Sequence, residues 1–333
     1  MERSTSFSTL WKPTIRPNAS GKRPGFKCRG RKFRASLLDT TVAGAIREGE
    51  AFLAGFGIPS PRLDAEVLLA FALQTRRDLL PARFRDEVET KMLERYRHLL
   101  ALRGERRVPI QYITGVQEFC SLEFEVDRRV LIPRPETELL VEELLAFRGR
   151  ERQAGRPLEL IADVGTGSGC VAVAAAVFAP EVRIVAIHIS EPALRLAASN
   201  AARHSVSGRV RGVAGDLLQS LRVSRRLDAV LCNPPYVSEG ELAGLQAEVR
   251  THEPLGALVS GPSGLEAYRA LIPQAAERLR EGGLLALELA ADRHEPVREM
   301  LGGGLWSEVF FREDFQGFPR VLSARRSGEV APC

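Results

Sequence analysis

The chain has 333 residues, 44% hydrophobic and 27% charged, with a net charge of +5; it is long enough for two domains with a sizeable core, and its composition excludes a fibrous or disordered protein. No apolar run reaches the roughly 20 residues needed to cross a bilayer, and the first residues lack the apolar stretch of a secretory signal. The five cysteines (Cys28, Cys120, Cys170, Cys232, Cys333) have no paired spacing and do not cluster with the five histidines, so a protein of the reducing cytoplasm without a metal site is expected.

Charge is concentrated at the start of the chain. Residues 1–38 hold ten Lys or Arg against one acid, Glu2, a local charge of +9 that leaves −4 of the total +5 for everything after it. The folded body therefore lacks the basic surface of a DNA-binding protein. Pro13, Pro17 and Pro24, with interspersed Gly and Ser, deny this stretch any helical or strand period, and a disordered basic tail is expected. Its composition also resembles an organelle transit peptide, and a nucleic-acid-touching arm is the alternative to a solvated extension.

From Asp39 to Arg107 the spacing is helical. Ser60 and Pro61 read as the cap and first residue of a helix with an apolar stripe of Leu63, Val67 and Phe71 beside Leu68 and Leu69. A second stripe, Val88, Met92, Tyr96, Leu99 and Leu100, follows Pro81, and short helices of this kind pack as a small domain. Glu118 to Ile132 then alternates, which predicts a β-hairpin with Asp127-Arg128 near its turn.

Strands and helices alternate in the remainder. Strands are expected over 158–163, 183–189, 209–213, 228–232, 284–289, 308–311 and 320–324, with helices over 169–178, 191–204 and 264–280. This pattern predicts an α/β fold with a mostly parallel sheet, helices on both faces and ligands at the carboxyl ends of the strands. The expected division is a tail over 1–38, a helical domain over 39–115, a hairpin linker over 116–135, an α/β domain over 136–326 and a short tail over 327–333.

Two motifs end strands of that sheet. The first is Asp163-Val164-Gly165-Thr166-Gly167-Ser168-Gly169, in which alternate glycines let a bulky ligand approach the backbone. Gly167, Gly169 and Ala172 also satisfy the dinucleotide spacing, so spacing by itself leaves NAD open. The second motif is Asn233-Pro234-Pro235-Tyr236. The prolines fix the backbone, an amide side chain and the Pro234 carbonyl offer two acceptors, and Tyr236 offers an aromatic face for a planar NH2 group. A pocket that holds an amino group beside such a loop fits methyl transfer better than hydride transfer, which implies S-adenosylmethionine as cofactor.

From Asp39 to Ala324 the chain resembles the release factor glutamine methyltransferases, which methylate the side-chain nitrogen of a glutamine in class I peptide chain release factors. The resemblance is carried by residues 61–69 (Pro61 to Leu69), 109–115 (Pro109 to Gly115), Ile132-Pro133-Arg134-Pro135-Glu136-Thr137-Glu138, the glycine loop, Asn233 to Tyr236, and Glu253-Pro254 with Ala257-Leu258. The Asn-Pro-Pro-Tyr motif is shared with adenine-N6 DNA methyltransferases; the segment around Arg134 to Thr137 is more specific. The resemblance implies a Rossmann-like methyltransferase sheet, a helical domain that recognises the protein substrate, and a linking hairpin.

It also implies a site. Asp163, Gly165, Thr166, Gly167, Ser168 and Gly169 would hold the methionine and ribose portions of the cofactor, with Asp216 and Leu217 at its adenine. Asn233, Pro234, Pro235 and Tyr236 would bind the substrate amide, Asn233 lying also beside the methyl donor; Asn233, Pro234 and Tyr236 would carry catalysis. At the end of the second strand the family has an acidic residue on the ribose hydroxyls, where this chain has His188. A neutral imidazole offers one acceptor and one donor in place of two acceptances, a loss on the order of 1.5–3 kcal/mol that would weaken cofactor binding and keep it. Arg134 and Glu136 would order the junction between the domains. The competing readings are a glutamine methyltransferase of a ribosomal protein, an adenine-N6 nucleic-acid methyltransferase, and a catalytically weak release-factor-binding protein.

Overall fold

The computed structural model describes residues 40–221 and 226–327; the expected tail over 1–38, and all of 327–333 but its first residue, lie outside them. Thr40 opens a compact unit that contains all the described residues. Its first elements are helices α1 (Val42–Ala54), α2 (Pro61–Ala72), α3 (Thr90–Gly104) and α4 (Ile110–Thr114). Thr41 starts α1 by accepting a hydrogen bond from the Gly44 N–H at 3.1 Å, which satisfies an otherwise orphaned donor. Pro61 opens α2 as expected. The face that α2 buries matches the expected one in part: Leu68 and Leu69 enter the core with Ala65 and Ala72, and Phe71 packs beside them, whereas Leu63 is 46% exposed. Small alanines mark where the helices approach, a signal that counting large side chains overlooks. In α3, Tyr96, Leu99 and Leu100 are buried as expected.

The hairpin falls in the expected segment but turns elsewhere. β1 (Val116–Phe119) pairs with β2 (Leu122–Glu125) through Cys120 and Ser121 at φ 50° and 58°, the geometry that matches the twist of the flanking strands. The Glu138 carboxylate accepts from the Cys120 N–H at 2.8 Å and fixes that turn. Asp127, expected near it, instead holds Arg129 at 2.6 Å beyond β2.

Helix α5 (Glu138–Gln153) follows, an element absent from the sequence expectation because charged residues dilute its apolar face. Then come β3 (Leu160–Val164), α6 (Cys170–Phe178), β4 (Arg183–His188), α7 (Glu191–Arg203), β5 (Val210–Ala214) and β6 (Leu227–Cys232). The last part contains α8 (Ala247–His252), α9 (Glu266–Arg278), β7 (Leu279–Glu288), α10 (His294–Glu299), β8 (Trp306–Glu313) and β9 (Pro319–Arg326). The seven strands are ordered β5-β4-β3-β6-β7-β9-β8; β3 to β7 run parallel, and β9 pairs antiparallel with both β7 and β8.

β6 is buried along its whole length, as a central parallel strand must be. Its side chains alternate: Ala229 and Leu231 join one core with Leu140, Leu144 and Phe147 of α5, and Val230 and Cys232 join the other with Tyr268, Leu271 and Ile272 of α9. From β3 the chain winds outward through β4 and β5 and then returns to β6 on the other side of β3. The carboxyl ends of β3 and β6 therefore flank the point where strand order reverses, where open α/β sheets bind ligands.

Candidate active site

The turn after β3 places Gly165, Gly167 and Gly169 at φ +76°, +54° and +81°, conformations that strain any residue with a Cβ. The N–H groups of Gly165 and Thr166 both donate to the Ile187 carbonyl, at 2.9 and 3.0 Å, which pins the turn to β4. Asp163 is buried beneath it. One of its oxygens accepts from the Thr166 hydroxyl at 2.6 Å and from the Ala172 N–H at 3.1 Å, so the residue braces the turn and the start of α6. Burial raises the Asp163 carboxyl to about 6 against the pull of those two bonds.

Asn200 of α7, fully buried, supports the same turn from behind. Its amide nitrogen donates to the Ser168 carbonyl at 2.8 Å and to the Glu125 carbonyl at 3.0 Å, while its oxygen accepts from the Glu125 N–H at 2.8 Å. This side chain ties the hairpin to the glycine turn. Its role is not legible in the sequence, where Asn200 is one polar residue on a helix; only its full burial implies satisfied partners.

The other strands supply the rest of the wall. His188 ends β4, half-buried, and burial lowers its pKa so that the neutral imidazole prevails. Beyond β5, Asp216 is exposed and Leu217 sits at φ 50°. Beyond β6, Asn233 donates through its amide nitrogen to the Thr137 hydroxyl oxygen at 3.1 Å. Thr137 belongs to the segment that Arg134 anchors by donating to Glu253 at 2.7 Å. The Pro234 ring is buried, and its carbonyl accepts no hydrogen bond from the described residues. Burial, with the negative charge of Glu288 adding to it, pushes the Tyr236 hydroxyl up to about 12.

These pieces enclose a cavity of about 550 Å³ whose wall includes Asp163, Gly165 to Ser168, His188, Asp216, Leu217 and Asn233. A second cavity, of about 380 Å³, is walled by Tyr236, Val249 and Leu258 among others. Leu131, Arg134, Asn233 and Ala257 line both. Asn233 therefore stands between two chambers, the first within the roughly 300–1,000 Å³ typical of small-molecule sites. Pro235 faces the first and Tyr236 the second. Gly169 lies outside both walls: it starts α6 and faces α7, where an added Cβ would come within 3.0 Å of Ala197.

Models of known families match two stretches, the PrmC N-terminal domain at residues 44–115 and the methyltransferase small domain at residues 136–250. The chain is 41% identical over 290 residues to the release factor glutamine methyltransferase of Moorella thermoacetica, an alignment that covers 87% of this chain and 100% of that protein. The chain belongs to the release factor glutamine methyltransferase family. A second such enzyme, from Chlorobaculum tepidum, is 41% identical over 293 residues, 86% of this chain and 95% of that protein. Among solved structures, the hMettl16 catalytic domain in complex with MAT2A 3′UTR hairpin 1 aligns with a TM-score of 0.50 at 16% identity, over 79% of this chain and 91% of that one, a likeness of fold. In this family member the first cavity lies at the carboxyl ends of β3, β4 and β6.

Proposed function

We propose that the chain transfers a methyl group from S-adenosylmethionine to the side-chain amide nitrogen of a glutamine in a class I peptide chain release factor, and thereby supports translation termination. One observation carries the reading: Asn233 stands between two chambers with its amide nitrogen committed to Thr137. Its oxygen is left to accept a substrate N–H. The first chamber fits the cofactor, because the turn between Asp163 and Gly167 opens its backbone there, and a Cβ at Gly165 would stand 3.7 Å from the Asn233 carbonyl oxygen and narrow the gap.

When bound, S-adenosylmethionine supplies an electrophilic methyl group on a sulfonium. Asp163, Gly165, Thr166, Gly167, Ser168, Asp216, Leu217 and Asn233 would hold it, with His188 at the ribose. A glutamine amide nitrogen is a poor nucleophile, since its lone pair is delocalised into the carbonyl. Asn233 Oδ1 and the Pro234 carbonyl accept its two N–H groups and turn that lone pair toward the first chamber. Tyr236 and Pro235 pack on the amide. As positive charge develops on the nitrogen, the same two acceptors interact with it more strongly, which is transition-state stabilisation. The proton then leaves to water.

The helical segment over 39–115 and the hairpin grip the release factor, and the work is done in the cytoplasm. Among the described residues no helix is long and apolar enough to cross a membrane. The reading is tested by labelled methyl donor offered to purified release factor, to its glutamine-to-alanine variant and to plasmid DNA. Label on the release factor alone is expected; label on DNA or on the glutamine variant would refute it.

A further inference from the structure

An acceptor role for Asn233 requires its carboxamide to face one way, and the molecule contains a device that selects that way. Thr137 is 3% exposed and has a single hydroxyl proton. If the Thr137 oxygen accepts from Asn233, its proton must go elsewhere. The candidate acceptor is the carboxylate of Glu288, whose pKa the Thr137 hydroxyl lowers. Glu288 ends β7, one position beyond the Leu287–Cys232 pair, so it and Asn233 are neighbours at the carboxyl edge of the sheet.

Glu288 is 2% exposed and one of its oxygens, Oε2, has no partner. The cations nearest to it are engaged elsewhere: Arg134 binds Glu253 at 2.7 Å and Arg320 binds Asp314 at 2.7 Å. Tyr268 donates to the main-chain oxygen of Glu288, at 2.8 Å, and leaves the carboxylate alone. A buried carboxylate without an ion pair costs stability, so Glu288 does not serve to hold the fold.

We propose that Glu288 is a positioning residue that, through the Thr137 hydroxyl, holds the Asn233 carboxamide with its oxygen toward the substrate. The inference rests on the methyl-acceptor reading given above. An ionised Glu288 only accepts, so the Thr137 proton points to it, the Thr137 oxygen accepts from the Asn233 nitrogen, and the Asn233 oxygen faces the chamber. A protonated Glu288 can donate to the Thr137 oxygen. The Thr137 proton then turns to Asn233, which must present its oxygen to Thr137 and its NH2 to the substrate. Two NH2 groups face each other in that state and no acceptor remains on the side chain.

The switch titrates where an enzyme can use it. Burial raises the Glu288 carboxyl to about 7, with the Thr137 hydroxyl opposing. The groups that face it are Glu136 and Arg134 from the segment before α5, Arg320 from β9, Cys232 and Tyr236 from the end of β6, and Tyr268 from α9. The two tyrosines and the cysteine all have pKa values raised and stay neutral in this range.

The test is the pH dependence of kcat, measured with saturating release factor and labelled methyl donor, in the wild type and three variants close in size. The wild-type kcat is expected to rise about tenfold or more between pH 5.5 and 8 as the positioning group ionises. Glu288→Gln and Thr137→Val should each lower kcat and lose that step, Thr137→Ser should keep both, and Glu288→Gln and Thr137→Ser should bind S-adenosylmethionine within about twofold of the wild type, since Glu288 lines neither cavity and serine keeps the hydroxyl that Thr137 presents to the first. A step that survives in Glu288→Gln would belong to Asp163 and overturns the proposal, as does wild-type kcat in Thr137→Val. Failure of the underlying reading looks different: the wild type then labels no glutamine at any pH.

Discussion

Replacing Glu288 by Gln should stabilise the protein, by an amount that grows with pH. In the unfolded chain a Glu titrates near 4.5, and in the fold burial holds Glu288 at about 7. A raised carboxyl pKa means that the folded state keeps its proton longer than the unfolded state. Stability therefore falls as pH rises from about 4.5 to about 7, and the full penalty persists above that window. At about 1.36 kcal/mol per unit, the penalty reaches on the order of 3 kcal/mol, of which about 2.5 kcal/mol develops between pH 5 and pH 8. Glutamine has the same shape and no charge. Urea denaturation of both proteins at the two pH values should show the variant slightly more stable at pH 5 and more stable by about 2–3 kcal/mol at pH 8. An equal difference at both pH values would mean that Glu288 titrates normally and that its burial exerts no strain. Coupled with a lower kcat, the expected result would identify a group that destabilises the fold and serves the reaction.

The remaining predictions concern the helical layer and the cofactor wall. Arg103 is buried and donates to Asp64 at 2.7 Å and to Glu248 of α8 at 2.8 Å, whereas the half-buried Arg107 reaches only the second of these acids, at 2.9 Å. Arg103→Ala strands the Asp64 carboxylate and should cost about 3–5 kcal/mol in chemical denaturation, against about 1 kcal/mol or less for Arg107→Ala; equal losses would contradict this account. His188→Asp should tighten S-adenosylmethionine binding about tenfold or more in calorimetry, the worth of one charge-assisted hydrogen bond. An unchanged dissociation constant would remove His188 from the ribose.

Much of the sheet could be read directly, because a strand buried on both faces is an uninterrupted apolar run. Residues 229–232, the part of the strand beyond Asp228, have that form and lead straight into Asn233, so both the strand and the motif at its end are visible. The hairpin turn was hidden because Cys120-Ser121 carries neither Gly nor Asn; it is fixed by Glu138, 18 positions away. Thr137 and Glu288 were hidden for a similar reason. An acid at the end of an apolar strand reads as the point where the chain reaches solvent, and only the register of β6 on β7 turns it inward beside Asn233. Asn200 joins two loops that no local pattern connects. Gly169, assigned to the cofactor by motif, stands outside both cavity walls and close against Ala197 of α7, a contact that no local pattern announces.

The central claim is that Asn233 works on the acceptor nitrogen and not mainly on the cofactor. Asn233→Ala tests it most directly, with kcat and the S-adenosylmethionine dissociation constant measured on the same preparation. The account predicts a loss in kcat of about a hundredfold or more, comparable to removal of one stabilising group from a transition state, with the dissociation constant within about threefold of the wild type. Comparable losses in both quantities would contradict it.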